Sequence, residues 1–149
     1  MSVPIRMLAA LVMLFSTFAI SAATAPSADA TISSTTGLSA VRVAGYQKGD
    51  WYQYGANGPD RFDCSGLTQY VYKRLGHAIP RTTGAQKAYL HPISKANKRK
   101  GDIIVFVNGT TAYHVGIYIG NGYIIHAAHS GTRVRTEHIW TSSYVVRRP

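Results

Sequence analysis

The first half of the chain carries its apolar residues at helical spacing. Apolar positions recur every three or four residues over residues 38–48, which predicts a first helix. A capping-box pattern opens at Thr83 and predicts a short helix that runs to about Leu90. Residues 24–36 consist mainly of alanine, serine and threonine and lack such a pattern, so we expect a flexible spacer there.

Another helix is predicted between these two, and its start is a strong local signal. Apolar residues fall at positions i, i+3, i+4 and i+8 from Leu67, and Gly76 follows the last of them. Asp63 is a favoured N-cap residue because its side chain can accept a hydrogen bond from an unpaired backbone N–H group. The pattern therefore places Cys64 in the first turn of this helix.

The second half of the chain changes to short segments that are rich in β-branched and aromatic residues and are separated by glycine or asparagine. We predict five strands, over residues 103–107, 115–119, 123–127, 132–137 and 144–147. Helices followed by consecutive strands indicate an α+β fold, with the N-terminal helices packed on a central antiparallel sheet of about five strands. The basic run from Lys95 to Lys100 is interpreted as a solvated loop.

Composition places the chain among folded, globular proteins. Of its 149 residues, 46% are hydrophobic and 15% are charged, which excludes a disordered chain and favours one compact domain over residues 37–149. Sixteen basic residues against six acidic ones give a formal net charge of +10, so an anionic polymer or surface is the natural partner. The sequence has no nucleic-acid recognition motif, and nucleic acid is not the expected ligand.

Residues 1–23 have the three parts of a secretory signal peptide. Arg6 lies near the start, an apolar run covers residues 7–20, and small residues follow up to Ala23. The 14-residue run is shorter than the ~20 residues that a membrane-spanning helix needs. We predict cleavage after Ala23 and a secreted or periplasmic mature protein. Loss of Arg6 leaves 15 basic and six acidic residues, a net charge of +9.

Cys64 is the only cysteine in the sequence. One interpretation is a buried, small apolar residue. The other follows from its predicted place at a helix N-terminus, where unpaired N–H groups and the helix dipole favour a negatively charged, reactive thiolate. The same N–H groups can stabilise an oxyanion, so this turn can provide both a nucleophile and part of an oxyanion hole.

Two of the six histidines flank a predicted hairpin and are candidates for a catalytic base. A two-residue loop over residues 121–122 would put the side chains of His114 and His126 on opposite faces of the sheet. A three-residue loop over residues 120–122 pairs position 116 with 126 and puts both on one face. We predict the three-residue loop, because a base needs a second polar group to fix its orientation.

A zinc site formed by His114, His126 and His129 is the alternative use of these side chains. The sequence has no His-x-x-x-His pair and no cysteine cluster that would support such a site. We therefore expect no metal and no other cofactor.

Several short motifs occur in a fixed order along residues 38–148. They are Asp63-Cys64-Ser65-Gly66-Leu67, Pro80-Arg81-Thr82 with Gln86, Gly101-Asp102, His114-Val115-Gly116-Ile117-Tyr118-Ile119-Gly120, and Ile125-His126-Ala127. Each motif is weak alone, but the ordered set is specific. Together they resemble the NlpC family of bacterial cell-wall cysteine peptidases.

The resemblance implies a papain-like fold in which Cys64 is the nucleophile, His114 is the general base and acid, and His126 orients His114. It also implies a set of residues near the oxyanion and the substrate, consisting of Tyr52, Asp63, Ser65 and Arg81. The implied substrate is the stem peptide of peptidoglycan, cut between D-glutamate and a diamino acid, with no cofactor.

Two departures from the family pattern concern the shape of the substrate groove. Ala56 stands where a second glycine is usual, and Ala128 stands where proline is common. Neither change removes a reacting group, so the chemistry implied by the resemblance is retained. These changes affect the shape of the groove near Tyr54 and therefore the choice of the peptide bond that is cut.

Two alternative functions stay open at this point. The same fold can support amidase or acyltransferase chemistry on another amide or ester. A non-catalytic basic cell-wall binding protein is the other alternative, with its cations supplied by Lys95, Lys98, Arg99, Lys100, Arg147 and Arg148. In each case we expect a monomer without a transmembrane segment that associates with peptidoglycan and other anionic cell-wall polymers.

Overall fold

The computed structural model describes residues 31–149, so the predicted signal peptide and residues 24–30 of the predicted spacer lie outside the described residues. The helices of this part of the chain are α1 (Ser34–Tyr46), α2 (Cys64–Arg74) and α3 (Thr83–Tyr89), with a 3-10 turn at Lys95–Asn97. The strands are β1 (Trp51–Tyr52), β2 (Arg61–Phe62), β3 (His91–Ile93), β4 (Ile103–Asn108), β5 (Thr111–Gly120), β6 (Tyr123–His126), β7 (Arg135–His138) and β8 (Tyr144–Arg148). No helix within residues 31–149 has the length and apolar character needed to cross a bilayer.

Helix α1 begins earlier than the apolar pattern predicted. Ser33 is its N-cap, and the Ser33 hydroxyl accepts a hydrogen bond from the Thr36 N–H at 3.1 Å. The prediction of a flexible spacer up to residue 36 is therefore wrong at its C-terminal end. Ile32 is also fixed, because it is buried and its N–H donates to the Pro149 carbonyl at 2.7 Å.

Helix α2 begins where the sequence predicted. Asp63 is its N-cap, and the Asp63 carboxylate accepts a hydrogen bond from the Gly66 N–H at 2.7 Å. Gly66 also has a packing role, because a Cβ atom on this residue would lie 2.1 Å from the Ala56 carbonyl oxygen. The first turn of α2 thus packs directly on the backbone of the preceding loop, which fixes the position of Cys64.

The main sheet of the described residues has the strand order β3-β8-β4-β5-β6-β7 and is antiparallel throughout. Strands β4 to β8 correspond to the five predicted strands, which confirms the α+β fold. The short strand β3 was missed; it contains Pro92 and lies at the sheet edge, where proline is tolerated. A separate two-residue parallel pair, β1 with β2, was also missed.

Apolar residues cover both faces of the sheet. One face packs against the helices through a buried cluster that includes Leu67 and Val71 of α2 and Val115 of β5. The other face carries a smaller buried cluster around Phe106. His114 of β5 is directly opposite Phe106 of β4, and its ring centroid lies 5.7 Å from that of Phe106.

Several residues of the basic run from Lys95 to Lys100 contact the rest of the domain, among them Lys95 and Arg99. The Lys95 ammonium lies 4.5 Å above the centroid of the Tyr144 ring. The Arg99 guanidinium donates to the Ser34 hydroxyl at the start of α1 at 3.2 Å. The interpretation of this run as a solvated loop is therefore wrong for Arg99, which is half-buried, and holds for Lys95, which is exposed.

Candidate active site

The single cysteine lies in the first turn of α2, and its side chain is half-buried. The Cys64 sulfur lies 3.7 Å from the Thr83 hydroxyl oxygen, in the first turn of α3. Both helices pack against β5, the strand that carries His114. Among the hydrogen bonds of the described residues, none joins Cys64 to His114, so the structure brings their two elements together without a direct bond between the side chains.

Asp63, the neighbour of the cysteine, is bound by a guanidinium and by two backbone N–H groups. Arg81 donates to both carboxylate oxygens, at 2.9 and 2.6 Å, while Gly55 and Gly66 donate through their N–H groups at 2.9 and 2.7 Å. Burial raises the pKa of Asp63, but the hydrogen bonds and charge of Arg81 and the N–H donors outweigh burial and hold that pKa below its usual value. The negative charge beside Cys64 is thus paired with a positive one.

Ser65 and Arg81 belong to the same polar network. The Ser65 hydroxyl is buried and accepts a hydrogen bond from Arg81 at 3.1 Å. Gln86 holds the two segments that carry these residues. Its side-chain amide donates to the carbonyl of Ser65 at 3.0 Å and to that of Pro80, the residue before Arg81, at 2.9 Å. The structure therefore brings three of the predicted substrate-site residues together and fixes the segment that carries them.

Tyr52 lies in β1, and its N–H donates to the Thr132 carbonyl at 2.9 Å. Burial raises the pKa of the Tyr52 phenol, and the neighbouring Cys64 and Asp63 raise it further. The hydroxyl is consequently protonated at neutral pH, and it can act as a hydrogen-bond donor on the cysteine side of the site.

His114 and His126 form a direct hydrogen bond, with His114 Nε2 2.8 Å from His126 Nδ1. The two rings are close to perpendicular, at 80°. Gly116 makes this approach possible, because a Cβ atom on it would lie 3.2 Å from the His126 Cβ and 2.7 Å from the end of Ile124. The predicted placement of both histidines on one face is therefore confirmed.

The turn between the two histidine strands differs from the prediction. Gly120 pairs with Tyr123, which leaves Asn121 and Gly122 as a two-residue turn with φ values of 53° and 79°. The three-residue loop over residues 120–122 is thus wrong. A β-bulge between Tyr118 and Gly120 shifts the register back, so the two histidines still share a face.

Burial controls the protonation of the histidine pair. It lowers the pKa of His114 to about 4, with the neighbouring His126 as a second cause in the same direction. Burial also lowers the pKa of His126, although its hydrogen bond to Glu137 acts in the opposite direction. Both imidazoles are therefore neutral near pH 7, and a neutral imidazole can accept a proton.

Three residues of the site were missed by the sequence analysis, namely Thr83, Glu137 and Trp140. Thr83 contacts the cysteine sulfur, and the Glu137 carboxylate lies 3.0 Å from His126 Nε2. Trp140 stacks on Phe106, with ring centroids 4.0 Å apart and planes 6° apart, next to both imidazoles. Glu137 is the single glutamate of the chain and falls in a predicted strand, which is a signal that could have been used.

An open cleft of about 470 Å³ adjoins the histidine pair and is lined by Tyr113, His114, His126, Ala128, His129, Arg135, Glu137 and Trp140.

Within residues 31–149, no group of three or more His, Cys, Asp or Glu side chains is placed to hold a metal ion. The exposed ring of His129 instead makes a hydrogen bond with the Ser130 carbonyl at 2.9 Å. The zinc alternative thus has no ligand set in the described part of the chain.

The architecture and these placements define a papain-like α+β domain with a cysteine at a helix N-terminus and a pair of buried histidines on the sheet. The model of the NlpC/P60 family matches residues 49–148, and the chain belongs to this family. The family relationship implied by the motif order is therefore confirmed.

Individual relatives and solved structures agree with this assignment. A probable endopeptidase of Corynebacterium glutamicum is 45% identical over 108 residues, which cover 72% of this chain and 51% of the relative. The probable endopeptidase p60 of Listeria monocytogenes is 44% identical over 90 residues, which cover 60% of this chain and 19% of that protein. The crystal structure of the NlpC/p60 domain of the peptidoglycan hydrolase SagA is similar with a TM-score of 0.69 and 31% identity, over 74% of this chain and 97% of that domain. The chain thus spans about half the length of the Corynebacterium relative.

Proposed function

We propose that this chain is an exported cysteine endopeptidase that hydrolyses amide bonds in the stem peptides of peptidoglycan. The observation that carries the proposal is the half-buried Cys64 in the first turn of a helix that packs against the strand of the His114–His126 pair. The relatives named as probable endopeptidases and the similar domain of a peptidoglycan hydrolase support the substrate class.

In the acylation step, His114 takes the proton of the Cys64 thiol, and the thiolate attacks the carbonyl carbon of the substrate amide. The ring nitrogen that takes the proton is Nδ1, because Nε2 is bonded to His126. The backbone N–H groups of Cys64 and Ser65 make no hydrogen bond within residues 31–149, so they can donate to the oxyanion together with Tyr52. His114 then protonates the departing amine, which leaves a thioester on Cys64.

Water completes the reaction in the deacylation step. The neutral His114 removes a proton from the water molecule as it attacks the thioester and returns this proton to the sulfur as the carbon–sulfur bond breaks, which releases the Cys64 thiol and a carboxylic acid that ionises in water. Each proton that His114 takes is returned within the cycle, so the reaction needs no cofactor. The low pKa that burial gives His114 keeps this imidazole neutral and ready to accept a proton.

We propose the bond between D-glutamate and the diamino acid as the one that is cleaved. The polar network of Asp63, Ser65 and Arg81 lies next to the nucleophile, where hydrogen-bonding groups of the stem peptide have to be recognised. The Ala56 carbonyl accepts a hydrogen bond from the Asp63 N–H at 2.8 Å and so contributes through its backbone. Ala56 itself stands where a glycine is usual, so this segment carries one additional methyl group.

Export and cell-wall association complete the proposal. Residues 1–23 have the signature of a signal peptide, and removal of this segment leaves a monomeric enzyme with a net charge of +9. Such a charge favours binding to peptidoglycan and other anionic cell-wall polymers, and salt weakens that attraction. Secretion or release into the periplasm brings the enzyme to its substrate.

The alternative of a non-catalytic polymer binder depends on cations that already have partners within the chain. Arg148 donates to the buried carboxylate of Asp102 at 2.7 Å, and Arg147 donates to the Lys87 carbonyl at 2.6 Å. Lys95 and Arg99 contact Tyr144 and Ser34, as described above. Only the Asp102 carboxylate neutralises one of these charges, that of Arg148, which leaves one cation fewer for a polymer and favours the enzyme over the binder.

Mass spectrometry of fragments released from purified peptidoglycan tests the proposal. The mature chain is expected to release fragments that end at D-glutamate and to create new amino groups on the diamino acid. Cys64→Ala is expected to release none while still binding the polymer, because it lacks the nucleophile. Thr35→Ala, a change at an exposed position of α1, is the matched control and is expected to cleave like the parent.

The remaining outcomes identify the alternatives. Fragments cut at the sugar–peptide amide, or a transferred acyl group, would assign the same site to amidase or acyltransferase chemistry. Binding without any fragment from the parent chain would assign the protein to the class of non-catalytic binders. Equal hydrolysis by Cys64→Ala and the parent would exclude Cys64 as the nucleophile.

A further inference from the structure

A carboxylate and a guanidinium extend the histidine pair toward the surface. The Glu137 Oε2 atom lies 3.0 Å from His126 Nε2, and the same oxygen accepts a hydrogen bond from Arg135 Nε at 2.9 Å and forms an ion pair with Arg135 Nη2 at 2.8 Å. His126 in turn is bonded to His114. Four side chains thus form one continuous chain of hydrogen bonds from Arg135 to His114.

The pairing of β6 with β7 builds this arrangement. His126 is directly opposite Arg135, and Ile124 is directly opposite Glu137. Since residues two apart on a strand share a face, Glu137 is the diagonal neighbour of His126 on the same face, within reach of its ring. The contact therefore comes from the backbone register of the sheet and does not depend on a flexible surface loop.

The direction of each hydrogen bond follows from the chemistry of the acceptor. Hydrogen bonds from Arg135 and His126 outweigh burial and lower the pKa of Glu137, so its carboxylate is ionised at neutral pH and can only accept. His126 Nε2 must then carry the proton that it donates. In a neutral imidazole the other nitrogen is an acceptor, so His126 Nδ1 accepts from His114 Nε2. The remaining nitrogen of His114, Nδ1, is left without a proton.

We propose that Glu137 is a positioning residue that, held by Arg135, fixes the tautomers of both histidines and keeps His114 Nδ1 as the proton-accepting nitrogen. This inference rests on the proposed function for the role of His114 Nδ1 as acceptor of the thiol proton. The choice of tautomer on each ring is a property of the resting protein and needs no substrate.

The other charged and titratable groups around Glu137 are compatible with this role. Its surroundings are His126 from β6, Arg135 from β7 and, beyond them, His114 from β5 and His129 from the loop after β6. Arg135 is the permanent cation in direct contact, and its planar fork fixes the side-chain geometry of a carboxylate that is 40% exposed. Without Arg135, water could compete with His126 for the same oxygen.

Two substitutions separate an acceptor role from a role in packing. Glu137→Ala removes the acceptor, so His126 has no fixed donor direction and both rings are expected to populate mixed tautomers. Glu137→Gln keeps an oxygen in place, because the donors of Arg135 require an acceptor at this position, and it is expected to preserve the tautomers. Thr136→Ala, an exposed position on the same strand, is the matched control.

Long-range proton–nitrogen NMR spectra of the folded chain measure the tautomers directly. In the parent, in Glu137→Gln and in Thr136→Ala, both His114 and His126 are expected to carry their proton on Nε2. In Glu137→Ala, this population is expected to fall on both rings. A proton on Nδ1 of His126 in the parent, or unchanged tautomers in Glu137→Ala, would overturn the inference.

Alkylation of Cys64 by iodoacetamide near neutral pH gives a second readout. Loss of the hydrogen bond that holds the proton on His126 Nε2 is expected to slow alkylation about tenfold in Glu137→Ala, with Glu137→Gln within about threefold of the parent. Failure of the parent to cleave peptidoglycan, together with the expected tautomer change, would reject the proposed function and leave the positioning role of Glu137 intact. Parent-like alkylation by a folded Glu137→Ala chain would reject the positioning role.

Discussion

Arg81 binds the carboxylate of Asp63 with both terminal nitrogens, so the residue that caps α2 carries a charge that is neutralised from outside the helix. Asp63 is the neighbour of Cys64, and an unpaired carboxylate there would oppose formation of a thiolate. The guanidinium thus lets Asp63 serve as a strong N-cap while its negative charge beside Cys64 is paired.

Removal of Arg81 is expected to affect both stability and reactivity. Arg81→Ala leaves the largely buried Asp63 without its charged partner, and we expect a loss of about 2 kcal/mol in the free energy of unfolding. We also expect slower alkylation of Cys64 by iodoacetamide near neutral pH. Urea unfolding and alkylation kinetics measure the two effects, and Arg42→Ala, at an exposed position of α1, is the control. Parent-like alkylation in Arg81→Ala would show that Asp63 does not influence the sulfur.

The close approach of α2 to the preceding loop makes a second prediction about stability. A Cβ atom at Gly66 would lie 2.1 Å from a backbone oxygen that cannot move without displacing the loop, so Gly66→Ala is expected to destabilise the fold by about 3 kcal/mol. Gly45→Ala is the matched control, because it is also a helical glycine but has nothing within 4 Å of the added methyl group. It is expected to stabilise α1 by about 0.5 kcal/mol. Equal stability of the two variants in urea unfolding would contradict the packing argument.

Local patterns predicted the cysteine side of the site well. An N-cap involves only residues within one helical turn, so Asp63 and the place of Cys64 could be inferred from neighbouring residues. The contact with Arg81 spans 18 positions, and only the resemblance to a family pointed to that residue. The start of α1 was missed because Ser33 and Thr36 lie in a segment without an apolar repeat.

The histidine side shows why strand register is harder to infer. The sequence analysis placed His114 and His126 on one face through a three-residue loop, whereas the chain uses a two-residue turn and a bulge at Ile119. A bulge has no clear signature in the sequence, although its effect on the register equals that of one extra loop residue. Glu137 was missed for a related reason: its contact with His126 depends on how β7 pairs with β6 across a longer loop.

The buried histidines are expected to make the stability of the fold depend on pH. The unfolded chain binds a proton at His114 near pH 6.5, whereas the folded chain does so only near a pKa of about 4. Between these values the unfolded state holds more protons, so the free energy of unfolding falls as the pH falls through this window. For His114 alone the loss is expected to reach about 3 kcal/mol below the folded pKa.

Urea unfolding at several pH values, with and without the titrating group, measures this effect. His114→Gln is expected to show a shallower decrease in stability between about pH 6.5 and about pH 4 than the parent, because one of the groups that bind protons on unfolding is gone. Thr35→Ala, at an exposed position of α1, removes no titrating group and is expected to keep the parent's slope. A slope that His114→Gln leaves unchanged would mean that another group dominates the acid sensitivity.

Trp140 is expected to be responsible for part of the burial of the His114 ring. Its ring centroid lies 5.7 Å from that of His114 and 5.6 Å from that of His126, and its stacking on Phe106 fixes its position. Because burial is the main cause of the low pKa of His114, Trp140→Ala should admit water and raise that pKa from about 4 toward its usual value.

NMR titration of the His114 ring in folded variants measures the pKa change directly. Trp140→Phe retains an aromatic ring over the imidazoles and is expected to shift the pKa of His114 less than Trp140→Ala does. Trp51→Ala is the control for loss of a partly exposed tryptophan, since that ring packs on Arg133, 3.8 Å from its guanidinium carbon. An unchanged pKa of His114 in Trp140→Ala would mean that the burial of His114 comes from its neighbours in the sheet and not from Trp140. A raised pKa would instead make Trp140 the side chain that keeps His114 neutral in mildly acidic surroundings, which the proposed mechanism requires because a protonated imidazole cannot accept the thiol proton.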